Sequence, residues 1–214
     1  MSMVLREELS EGIVAITLNR PESLNALSPA LFSELNQIVT ELSKQTDSVG
    51  CVILRGAGRC FSAGNDLKAV RSGVKAKEKF FQAKTIDLIE KLPQPTIASV
   101  HGHCLTGALE LALACDLMIT SESANLADTH GKWGMVPGWG MSVRLPRRVG
   151  LLKAKEMMFT GMSINGLQAV EIGLSSQCVA DDHLKVSTLD LAESIVKNSW
   201  HTNFADKKLF LDNE

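Results

Sequence analysis

Apolar positions recur in two rhythms along this chain. Short apolar or alternating runs at residues 4–9, 13–18, 51–54, 96–100 and 117–120 predict strands. Ser10-Glu11-Gly12 joins the first two as a hairpin. A helical rhythm begins at Ser28-Pro29, an N-cap serine followed by proline at the first position. Leu31, Leu35, Ile38, Val39 and Leu42 continue it, predicting an amphipathic helix to about Lys44. Another helix is expected over 80–92, stopped by Pro93-Gln94-Pro95. Others are expected around 141–149, 153–160, 166–172 and 184–199, with Gly161 and Gly173 placed to end two of them. Residues 125–128 read as a short edge, and 207–214 as a frayed tail. Taken alone, this alternation of strands and helices points to a doubly wound parallel sheet.

The chain organises around residues 101–116, HGHCLTGALELALACD. An apolar strand ends there, the backbone turns at Thr106-Gly107, and a short helix carries one carboxylate, Glu110. Gly107 allows close approach of a ligand to backbone. The first helical turn offers unpaired N–H groups. Leu109 and Leu111 flank Glu110, which favours a raised pKa, while the helix dipole pulls the other way. These features suit holding a developing negative charge and moving a proton.

Composition narrows the class. At 214 residues, 45% hydrophobic and 21% charged, the chain fits a single domain spanning 1–214. Its net charge of −2 gives no general attraction to nucleic acid or to an acidic membrane. The five cysteines (51, 60, 104, 115, 178) have no paired metal spacing and read as reduced core residues. No leader-like or membrane-spanning run is present, so a soluble, cytoplasmic protein is expected. The stretch 70–79, with Arg71, Lys75, Lys77 and Lys79, reads as a solvated face before an anion site.

Several motifs are absent. Gly56-x-Gly58 meets Phe61 where a dinucleotide fingerprint needs a third glycine, and there is no P-loop, HExxH or GxSxG. His101 and His103 are not expected to form a metal pair, and no metal site is expected. What remains is an ordered set of pieces. They are Asn19-Arg20-Pro21 with Leu24-Asn25-Ala26-Leu27; Arg59-Cys-Phe-Ser-Ala-Gly-Asn-Asp66; His101-Gly102 with Gly107 and Glu110-Leu-Ala-Leu-Ala-Cys-Asp116; Gly134-x-x-Pro137-Gly138; and Ala169-x-x-x-Gly173-Leu174. In this order and spacing the chain resembles the crotonase, or enoyl-CoA hydratase/isomerase, family over roughly residues 4–180.

The resemblance implies an α/β fold built as a spiral of ββα units, with a core to about residue 180. A C-terminal helical region begins at 181 and reads as shortened, since family members continue past the position of Glu214. It also implies homotrimers or pairs of trimers, an acyl-CoA thioester as substrate, and no separate cofactor. The backbone N–H groups of Ala63 and Gly107 would hold the thioester oxyanion, each contributing roughly 3–4 kcal/mol at the transition state. Ser23, Leu24, Ala26, the segment Ala63, Gly64, Asn65, Asp66 and Leu67, and Gly138 would contact CoA or substrate. Asp66 has an equal alternative as the N-cap of the following helix.

Glu110 matches the first catalytic glutamate of the hydratases. The second glutamate's position holds His130, an imidazole with an unperturbed pKa near 6.5 that can serve either half of a proton relay. A non-catalytic histidine there is the alternative, and Asp128 is a rival acid if the local strand is shifted. Trp133 and Trp139 are read as core or pocket wall. The expected reaction is hydration of a trans-2-enoyl-CoA. Double-bond isomerisation and a CoA-binding protein with little catalysis are the other readings.

Overall fold

A computed structural model describes residues 2–73 and 76–213, so Lys75 lies outside the described residues. Strands β1 (Val4–Ser10) and β2 (Gly12–Leu18) form the expected antiparallel hairpin. From β2 the sheet runs parallel through β3 (Val49–Gly56), β4 (Thr96–Val100), β6 (Leu117–Ser121) and β9 (Gln177–Val179), in the order β1-β2-β3-β4-β6-β9. Every residue of β2 is buried, because both faces of the sheet are covered and both sets of alternating side chains find a core. On one face, Val14, Ile16, Leu18, Val52 and Leu54 belong to the same core as α1 (Pro29–Leu42), α3 (Phe81–Glu90) and α4 (Gly107–Leu113). On the other, Ile13, Ala15, Cys51, Ile53, Ile97 and Ile119 pack with Leu184 and Ala192 of α7 (Leu184–Val196).

Three short strands make a second sheet, in the order β5 (His103–Leu105), β7 (Asn125–Ala127) and β8 (Ser163–Asn165). The chain therefore leaves β4, makes β5 in the second sheet and returns through α4 to β6. That is the ββα spiral of the crotonase fold, and it corrects the doubly wound sheet that alternation alone suggests. Ser28 caps α1 by accepting from Leu31 N–H at 3.2 Å, as its sequence predicts. The two helices expected around 141–149 and 153–160 are both present in the segment Met141–Thr160, labelled α5, and Gly150, at φ 77° and ψ 157°, divides them. The remaining helices are α2 (Leu67–Arg71), α6 (Gly166–Glu171) and α8 (Trp200–Asp212). Among the described residues no helix is long and apolar enough to cross a membrane.

Residues 207–212 of the expected frayed tail are instead part of α8, while Glu214 lies outside the described residues, and two anchors explain the helix. The Trp200 indole lies against Gly12 and Gly50, and its Nε1 donates to Val196 O at 2.8 Å. Lys207 is buried, its Nζ 2.7 Å from Asp116 Oδ2 and 3.0 Å from Gln94 O. The same Asp116 oxygen accepts from Thr96 N–H and Oγ1, so α8 is tied to the start of β4. Lys207→Met should therefore destabilise the fold by about 1–3 kcal/mol, the cost of leaving the carbonyl of buried Gln94 without its ammonium donor. Denaturant unfolding checks this; an unchanged midpoint would show the anchor to be dispensable.

Candidate active site

The motif Leu24-Asn25-Ala26-Leu27 works mainly through backbone. Buried Asn25 accepts from Arg20 N–H at 2.8 Å, and its amide nitrogen lies 2.8, 2.9 and 3.1 Å from the carbonyls of Ala57, Cys60 and Phe61. This zips residues 20–27 to the loop after β3. Ala63 N–H donates to Leu24 O (2.9 Å), Leu27 N–H to Gly64 O (2.8 Å), and Asp66 N–H to Leu27 O (3.2 Å). The last two bonds form a parallel bridge between Leu27 and Asn65. In such a bridge the central residue's own N–H and C=O point away from the partner. Among the described residues nothing accepts from Asn65 N–H.

This geometry corrects the expectation for Ala63. Its amide is committed to Leu24, and the free amide of the loop belongs to Asn65, two residues on. Gly64 permits the arrangement: it sits at φ 94°, and a Cβ there would lie 2.5 Å from Leu105 O. Asp66 takes the capping role, its Oδ1 accepting from Lys68 and Ala69 N–H at 3.1 Å each. Its Oδ2 meets Arg20 at 2.9 Å. Burial acts to raise the Asp66 pKa, but the Arg20 contact and the two amides outweigh it and hold the carboxyl below its ordinary value.

The second free amide is that of Gly107, at the start of α4. Thr106 precedes it at φ 56°, a left-handed conformation that costs a threonine roughly 1–3 kcal/mol. Its N–H donates to Ala127 O (2.8 Å) and its hydroxyl pairs with Thr129 (3.0 Å), which hold it there. Trp139 lies directly on Gly107, since a Cβ at 107 would overlap the ring. The same ring meets Phe32 edge-on at 5.0 Å.

These elements enclose a cavity of about 250 Å³. Ala63, Asn65, Leu67, Gly107, Glu110, His130 and Gly138 line it, together with Thr106, Thr129, Trp133, Met135, Val136 and Trp139. Ser23, Leu24, Ala26, Gly64 and Asp66 do not; they form or adjoin the turn that buttresses its loop. A larger cavity, about 420 Å³, lies between α5 and α8, and several of its charged side chains are already engaged. There Arg144 meets Asp87 and Glu90 at 2.6 Å each, and Lys207 meets Asp116. His101 binds Gly58 O (2.9 Å) outside the second sheet while His103 is on β5, so the two serve different elements.

Inside the smaller cavity Glu110 is 1% exposed. Its Oε1 accepts from Trp139 N–H (2.7 Å) and Met141 N–H (3.1 Å). Its Oε2 faces His130 Nε2 at 3.6 Å. On the other side of that ring, His130 Nδ1 is 2.5 Å from Asp128 Oδ1, which also accepts His130 N–H at 3.1 Å. Burial pushes the Glu110 pKa up; the Met141 and Trp139 amides and His130 offset this in part, and the direction remains upward.

That shift carries a stability prediction. The folded state holds the Glu110 proton more tightly than the unfolded chain does, so wild-type stability falls as pH rises from the ordinary carboxylate value towards the raised one. Glu110→Gln lacks this titration and can still accept both amides. Its advantage in Tm over wild type should grow with pH across that window; a difference independent of pH would contradict the assignment.

The sequence singles out Glu110, His130, Asp128 and Gly107, and the fold brings them together. It does not reveal Asn65 as the free amide, nor the Thr106–Thr129 pair that supports the turn before Gly107. The glycine at 64, a residue type that admits positive φ, was the available clue.

Comparison with known proteins fits this arrangement. Residues 8–211 match the family model described as enoyl-CoA hydratase/isomerase. An Arabidopsis thaliana protein named "Probable enoyl-CoA hydratase 1, peroxisomal" is 36% identical over 189 residues, 88% of this chain and 71% of that one. The crystal structure of an enoyl-CoA hydratase from Bacillus anthracis superposes with a TM-score of 0.89 at 36% identity, covering 96% of this chain and 81% of that one. A Thermobifida fusca protein solved in complex with acetoacetyl-CoA gives 0.91 at 25% identity, covering 99% and 87%. The chain belongs to the enoyl-CoA hydratase/isomerase family and has its crotonase fold.

Proposed function

We propose that the protein adds water to a trans-2-enoyl-CoA to give a 3-hydroxyacyl-CoA. The observation that carries this is the pairing of Glu110 Oε2 with His130 Nε2, 3.6 Å apart, on the cavity that holds two unengaged amides. That spacing is too long for a direct hydrogen bond, and both atoms remain available to a water and to the substrate.

The free N–H groups of Asn65 and Gly107 would receive the thioester oxygen. Water attacks the acyl β carbon while Glu110 carboxylate takes one of its protons. The double-bond pair moves toward the thioester oxygen, where the two amides stabilise the charge. Protonated His130 then delivers a proton to the α carbon, and the pair returns from oxygen. Passage of the captured proton from Glu110 to His130 resets the site. The sum is substrate plus one water, with no further cofactor.

The buttressed turn holding Ser23, Leu24 and Ala26, with the segment Ala63–Leu67, would carry the CoA moiety. Trp133 and Val136, 58% and 88% exposed at the cavity mouth, would meet the acyl chain. Exposed Leu151, Leu152 and Phe159 on α5 support the homotrimer that the resemblance implies.

A panel of acyl-CoA thioesters, with products identified by mass, tests the reading. Gain of one water by trans-2-enoyl thioesters is expected. A shifted double bond at unchanged mass would make the protein an isomerase instead, and binding without turnover a non-catalytic member.

A further inference from the structure

We propose that Asp128 is a positioning residue for this reaction, holding His130 through Nδ1 so that Nε2 is the imidazole atom offered to substrate and to Glu110. The inference rests on the proposed role of His130. It turns the substitution at that position from a lost carboxylate into a supported imidazole.

Asp128 is 2% exposed, follows β7 directly, and uses one oxygen twice, on His130 N–H and on Nδ1. The backbone bond starts the 3₁₀ turn His130–Trp133, and the ring bond fixes which nitrogen carries hydrogen. With Nδ1–H donated to a carboxylate, the ring can rotate little, and the lone pair or the second proton sits at Nε2. The charged groups facing the imidazole are Asp128 from its own segment and Glu110 from α4. No other ion pair to it exists among the described residues. The three side chains thus form a line, Asp128–His130–Glu110, reaching from behind the second sheet into the cavity. A carboxylate behind the ring keeps Nε2 turned toward the cavity, the atom that the proposed proton delivery to the α carbon uses.

A purely structural Asp128 would only cap the turn. Asp128→Asn separates the roles, because the amide oxygen can still accept His130 N–H while the charge behind the ring is gone. The expected result is little change in Tm and KM, and kcat lower by up to roughly 10²-fold, no more than the loss expected on removing the His130 imidazole itself.

The deciding measurement is a double-mutant cycle with His130→Gln, assayed on an enoyl-CoA that wild type turns over. If Asp128 acts through His130, adding Asp128→Asn to His130→Gln changes kcat little. An equal loss from Asp128→Asn in both backgrounds overturns the proposal. Full activity of His130→Gln would instead overturn the role of His130 itself, so the two failures are distinguishable.

Discussion

Glu110→Gln is expected to lower kcat on an enoyl-CoA by roughly 10³-fold, within the 10²–10⁴ range that a positioned acid/base contributes. The substitution is conservative in shape. The amide oxygen of the introduced glutamine can accept from the same Trp139 and Met141 amides that hold Glu110 now, so the ring of Trp139 and the start of α5 need not move. What disappears is the carboxylate proposed to take a proton from water. KM should change little, because the turn and loop proposed to carry CoA lie on other elements. Steady-state kinetics on the purified variant, with its fold checked by unfolding, measures both numbers. Turnover at the wild-type rate would remove Glu110 from the mechanism; a large rise in KM with kcat preserved would make it a binding group.

His130→Gln is the second large effect, with kcat expected to fall about 10²-fold. Glutamine can keep a polar atom near Glu110 but cannot become a cation, so the proton donor proposed for the α carbon is lost. The acid limb of the wild-type kcat profile follows ionisation of Glu110, whose proton burial holds on to, and the variant should keep that limb. Turnover by the variant at the wild-type rate would mean that some other group delivers the proton.

Much of this site is legible without coordinates. Glu110 between leucines, Gly107 before it and His130 twenty positions on are features of spacing, and the spiral brings all three to one cavity. The Ser28-Pro29 helix start and the N-terminal hairpin are equally plain, because capping and alternation are local. Other features depend on partners far away in the chain. Which amide of the loop is free follows from hydrogen-bond register between 24–27 and 62–66, which leaves Asn65 rather than Ala63 unbonded, and residue type does not encode register. Strands β5, β8 and β9 are three residues each, too short for periodicity to register. The C-terminal helix reads as frayed because its anchor, Lys207 with Asp116, joins residues 91 positions apart.

Asp128 is the instructive intermediate case. Its distance of two positions from His130 is visible in the sequence and reads there as rivalry between two acids. The 2.5 Å contact recasts them as partners, one behind the other. A neighbouring carboxylate and imidazole read differently once the fold shows which of them reaches the cavity.

The most direct test of the proposed reaction is conversion of a trans-2-enoyl-CoA in water enriched in heavy oxygen, with the product's label located by mass fragmentation. One labelled hydroxyl oxygen is expected at the acyl β carbon, formed rapidly by wild type and far more slowly by Glu110→Gln. Turnover without incorporation of label, or incorporation at the same rate in both proteins, would contradict it.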